Sequence, residues 1–123
     1  MISRAALAIV VVVVLVSGLV ACGGHQDEGS AGSPAGLEVK VTIADGKVTP
    51  TNATLQAKVK EQITFHVTSD ATDELHVHSV PDHEFQVAAA PDQTFQFSVD
   101  VPGNVDVELH HLDRTVATIQ VRP

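Results

Sequence analysis

Apolar and polar residues alternate with a period of two through residues 37–123, in short segments separated by turn-forming residues, and no stretch there carries a helical period. A chain patterned this way can bury one face of each segment only by pairing into sheets whose apolar faces meet. The expected fold class is therefore all-β, a small sandwich of seven to nine strands. Leu37, Val39, Val41 and Ile43 share one face of the first segment, and Asp45-Gly46 follows as a turn. After a break at residues 50–52, strands are expected over residues 53–59 and 62–69, with Ile63, Phe65 and Val67 inward on the second. Residues 74–80 form a further strand ended by Pro81-Asp82, and residues 84–88 one ended near Pro91-Asp92. Phe95, Phe97 and Val99 then point one way; residues 104–111 carry Val105, Val107 and Leu109 inward; residues 115–121 close the sheet.

Composition removes several function classes. The formal charge is −8, Trp and Tyr are absent and there are four Phe, so the chain would be repelled by a phosphate backbone and has few stacking platforms. Nucleic acid is excluded as a partner. Cys22 is the single cysteine, which leaves the patterned region with neither a disulfide nor a thiolate metal ligand. Zinc-finger, iron–sulfur and blue-copper centres fail there for that reason. No Gly-rich phosphate loop follows a strand, and Ser69 and Ser79 lie in no nucleophile elbow. The chain is read as a binding module, not an enzyme.

Residues 1–4 carry one Arg, and residues 5–20 are apolar apart from Ser17 and Gly18, the layout of an export signal. The run closes on Leu19, Val20, Ala21 and Cys22, which resembles the lipobox of bacterial lipoproteins. That resemblance implies a signal peptide over residues 1–21, cleavage before Cys22, and palmitate-type acylation of Cys22, since two or three acyl chains hold a protein on a bilayer stably. The expected location is the cell membrane, lipid-anchored on its extracytoplasmic face. An uncleaved transmembrane helix is the competing reading, because residues 5–22 are about long enough to span a bilayer. Residues 22–36 combine the lipidated Cys with a Gly-, Ser- and Pro-containing flexible tether, whose coil dimensions would set the folded domain, residues 37–123, on the order of 20 Å from the lipid.

The histidines divide by parity. With Leu75 and Val77 on one face of their strand, Glu74, His76 and His78 fall on the other; with Val105, Val107 and Leu109 inward, Asp106, Glu108 and His110 face out. His111 would point inward unless the strand has already broken, so His110 and His111 compete. His66 is read as a surface residue, His83 as a solvated turn residue and His25 as part of the tether.

The order of segments, with Thr68-Ser69-Asp70 through Asp73-Glu74-Leu75-His76-Val77-His78, then Pro102-Gly103, Val105, Val107-Glu108-Leu109-His110 and Val121-Arg122-Pro123, resembles the cupredoxin-like domains of bacterial envelope lipoproteins and of some iron-uptake components. The resemblance implies a cupredoxin-like Greek-key β-sandwich in which the strand of His76 and the strand ending near His110 are antiparallel neighbours. His76, His78 and His110 would then share one surface, with Glu108 or Glu74 close by. Three imidazoles with a carboxylate or water suit a Cu or Zn ion, which makes His76, His78, His110 (or His111) and Glu108 the candidate ligands. Electron-transferring cupredoxins add a Cys at the end of that second strand and usually a Met; here the strand ends with Leu109, and Met1 is the only Met. Metal handling without blue-copper electron transfer is the expected role. The rival expectation is a metal-free structural lipoprotein that presents loops or an edge strand to an envelope protein partner.

Overall fold

The computed structural model describes residues 36–123; the expected signal peptide, Cys22, His25 and residues 26–35 of the expected tether lie outside the described residues. Nine strands follow one another: β1 (Leu37–Ala44), β2 (Lys47–Thr49), β3 (Ala53–Lys58), β4 (Ile63–Ser69), β5 (Asp73–Val77), β6 (His83–Val87), β7 (Gln93–Phe97), β8 (Gly103–Leu109) and β9 (Arg114–Arg122). They form a four-stranded sheet in the order β2-β1-β4-β7 and a five-stranded sheet in the order β3-β9-β8-β5-β6. β1 with β4 and β3 with β9 pair in parallel, and all other neighbours are antiparallel. This is the expected all-β Greek-key sandwich.

Alternation explains the packing directly. Val39, Val41 and Ile43 of β1, Phe65 and Val67 of β4, Leu75 and Val77 of β5 and Val105, Val107 and Leu109 of β8 are all buried between the sheets. Burial of such side chains stabilises the fold by about 1.5–3 kcal/mol each. β1 turns into β2 through Asp45-Gly46, both at positive φ, as the right-handed twist of a two-residue hairpin requires. Asn52, Asp92 and Asp113 take the left-handed conformation at other bends, where a short polar side chain tolerates it.

Several expected boundaries move. β2, placed in no strand by the pattern, is only three residues long and has one buried side chain, Val48, too little for an alternation to show. β5 stops at Val77 and not at residue 80: the Ser79 N–H donates to the Val77 carbonyl and bends the chain, leaving Val80 59% exposed. β8 stops at Leu109, two residues early, because the His111 and Leu112 N–H groups donate to the Asp73 carboxylate, 2.9 and 3.1 Å away, and not to a neighbouring strand. β9 contains a bulge opposite Val107 and Glu108, which puts the consecutive residues Val116 and Ala117 both in the interior. His83 opens β6 and is not a solvated turn residue: its ring stacks on Phe85 and its Nε2 lies 3.2 Å from the Ser98 carbonyl.

Candidate metal centre

The site is built on the outer face of the five-stranded sheet. β5 lies between β6 and β8, and its register sets His76 directly opposite Glu84 on one side and Glu108 on the other. Leu75 and Val77, fully buried, fix the strand so that His76 must face outward. His78 follows β5, and its N–H donates to the Asp106 carbonyl, which holds the chain against β8 just past the end of the ladder. His110 follows β8, its N–H donating to the Glu74 carbonyl. One strand thus supplies two rings and its antiparallel neighbour supplies the third.

The three rings touch. His76 and His78 have centroids 4.0 Å apart, and His110 meets His76 edge-on at 4.9 Å. Nδ1 of His76 is 3.0 Å from Nε2 of His110. One nitrogen from each of the three residues lies within 4.8 Å of the other two. Ligands of one ion at bond lengths near 2 Å sit about 3–4 Å apart, so small side-chain rotations suffice to bring all three onto one point.

Each ring also has a nitrogen held by a carboxylate. Nε2 of His76 lies 2.9 Å from Oδ1 of Asp82, Nε2 of His78 lies 2.8 Å from Oε2 of Glu108, and Nδ1 of His110 lies 3.0 Å from Oε1 of Glu74. Gln86 in turn donates to Oε2 of Glu74 at 2.8 Å. A carboxylate on one imidazole nitrogen fixes the tautomer and ring orientation and raises the basicity of the other nitrogen, an arrangement typical of metal-ligating histidines. Glu108, a candidate ligand from the sequence, is placed as the partner of His78.

His111 is not part of this cluster. With its N–H on Asp73, its ring turns outward and Nδ1 lies 3.2 Å from the Thr72 carbonyl. His66, on β4 of the other sheet, pairs with Glu38. Two further residues, Asp82 and Glu84, belong to the neighbourhood of His76 and were not singled out by parity. Asp82 lies in the bend between β5 and β6, and Glu84 on β6, whose pairing with β5 no local pattern discloses. The available signal in the Pro81-Asp82-His83-Glu84 run is that its two acids, two residues apart, share one side of their segment; the pairing with β5 is what makes it the side of His76.

No family model and no curated protein matches the chain. Among solved structures, a reduced, singly substituted amicyanin aligns at a TM-score of 0.50 with 15% identity, covering 76% of this chain and 88% of that one. Auracyanin from Roseiflexus castenholzii aligns at 0.49 with 12% identity over 72% and 99% of the two chains, and a purple cupredoxin from Nitrosopumilus maritimus at 0.45 with 12% identity over 68% and 98%. The amicyanin likeness shows a cupredoxin-like fold. Donors for a blue-copper centre do not accompany it. The end of β8, where the resemblance would call for Cys, is Leu109, buried in the core. No Cys or Met occurs anywhere in residues 36–123. A copper–thiolate bond cannot form there, whereas the nitrogen and carboxylate donors on the outer face fit an ion that accepts imidazole.

Proposed function

We propose that this chain is a lipoprotein anchored through Cys22 to the extracytoplasmic face of the cell membrane, and that its cupredoxin-like domain binds a copper- or zinc-type ion through His76, His78 and His110. The observation that carries the metal reading is that the three rings offer nitrogens within 4.8 Å of one another while each ring also has a nitrogen on a carboxylate, Asp82, Glu108 or Glu74. Such a site holds or hands over an ion and has no thiolate through which to pass an electron in the blue-copper manner. The anchor rests on the run Leu19-Val20-Ala21-Cys22 after an apolar segment.

The test is isothermal titration of the full chain in detergent with Cu(II) and with Zn(II). A 1:1 affinity of about micromolar or tighter, lost in the His76→Ala/His78→Ala double variant, supports the site; equal, weak uptake by both proteins overturns it. A metal-free reading is favoured by a separate observation, that every ring in the cluster already has a hydrogen-bonding partner within the protein. In that reading the network only ties β5 to β8, and a membrane partner captured by crosslinking survives both chelator and the double variant.

A further inference from the structure

His76 is the one residue shared by two groups of potential ion ligands among the described residues: with His78 and His110 on one side of its ring, and with Asp82 and Glu84 on the other. The two sides use different nitrogens. Nδ1 faces His110, whereas Nε2 lies 2.9 and 3.1 Å from the two Asp82 oxygens and 3.9 Å from Oε1 of Glu84. Two ligands at right angles around a small divalent ion, each about 2.1 Å from it, are about 3 Å apart, so the carboxylate side already has the spacing of neighbouring ligands. His76 is also the most enclosed of the three rings, its side chain 14% exposed, which limits how far it can turn to serve one side at the expense of the other.

We propose that Nε2 of His76, Asp82 and Glu84 form a position for a hard divalent cation of the manganese(II) kind, and that this position and the three-histidine position exclude one another. Donor chemistry separates them: one imidazole with two carboxylates suits manganese, whereas three imidazoles suit copper or zinc. Exclusion follows from the ring itself. A neutral imidazole has one lone-pair nitrogen and one N–H. An ion on Nδ1 leaves the proton on Nε2, where Asp82 accepts it; an ion on Nε2 leaves the proton on Nδ1, where Nε2 of His110 accepts it. Either tautomer has its acceptor within 3.1 Å, so the residue changes sides at little cost and serves one ion at a time. The competition rests on the three-histidine reading above; the carboxylate position does not.

The experiment is a titration of the full chain with Mn(II), free ion being followed by electron paramagnetic resonance. One Mn(II) binds per wild-type chain; Asp82→Asn and Glu84→Gln each weaken it at least about tenfold, His78→Ala changes it less than about twofold, and one equivalent of Cu(II) releases it from the wild type more completely than from His78→Ala. Asp82 and Glu84 are exposed, and circular dichroism of the variants checks that the fold is intact. No binding, or equal binding by wild type and both carboxylate variants, overturns the position. Mn(II) and Cu(II) held together, one each per chain, overturns the exclusion. Carboxylate-dependent Mn(II) binding in a protein whose Cu(II) and Zn(II) uptake is unchanged by His78→Ala and His110→Ala removes the three-histidine reading and leaves the manganese position standing.

Discussion

Oδ1 of the buried Asp73 accepts the N–H of His111 at 2.9 Å across the gap between the start of β5 and the end of β8. This contact decides which of two adjacent histidines joins the cluster. It bends the chain after Leu109, leaving His110 over the outer face and swinging the next ring away. The same carboxylate accepts the Glu74 and Leu112 N–H groups, at 2.7 and 3.1 Å, and so closes the loop between β8 and β9.

Asp73→Ala leaves three N–H groups without their acceptor in a buried setting, where hydrogen bonds to a charged group contribute about 1.5–3 kcal/mol each before water partly compensates. The expected loss is about 3 kcal/mol, read from urea unfolding midpoints. Asp73→Asn keeps one oxygen acceptor and should lose a smaller amount.

His110→Ala should weaken Cu(II) or Zn(II) binding at least about tenfold, and His111→Ala less than about twofold, because only the first ring reaches His76. A competition titration against a chelator of known affinity measures both. Equal losses would place the ion nearer the loop than the cluster allows.

Glu74→Gln and Glu108→Gln remove the carboxylate partners of His110 and His78 without removing a ring. Affinity should fall about 10–100-fold in each, with little change in the unfolding midpoint, since both side chains face solvent in part. A drop in stability with unchanged affinity would assign these pairs to the fold alone.

Phe65, fully buried and 5.8 Å from the Phe97 ring, lies in the four-stranded sheet, whereas His76, His78 and His110 lie on the five-stranded one. Phe65→Ala should cost about 3–5 kcal/mol through lost burial and a residual cavity. Below its unfolding temperature the variant should bind metal as the wild type does.

Cys22→Ser removes the only thiol that could carry a diacylglycerol group. The variant should leave the membrane fraction, and mass spectrometry of the wild type should find an acylated Cys22 at the new N-terminus. An intact Met1 on a membrane-bound chain would support the spanning helix instead.

Much of the fold was legible because period-two alternation is a local property: Val105, Val107 and Leu109 face inward wherever β8 is placed. The outward parity of His76 and His110 followed equally. Their convergence could be expected only through likeness to a known fold, because it needs β5 beside β8. The role of Asp82 was hidden for the same reason, since its contact with His76 depends on how the bend after His78 returns the chain to β6. His83 was misjudged because its neighbours Phe97 and Ser98 arrive from the other sheet.

By itself the amino-acid sequence determined that this chain is a β-sandwich former without a thiolate in its patterned region, and which face each strand residue presents. Those properties depend on residue type and on the two-residue repeat alone. Tertiary structure decided that three rings meet, that each leans on a carboxylate, and that His111 stays apart. Apart from those of His76 with His78 and Asp82, these are contacts between residues thirty or more positions apart, set by strand register and by one buried carboxylate, and no local pattern encodes a register.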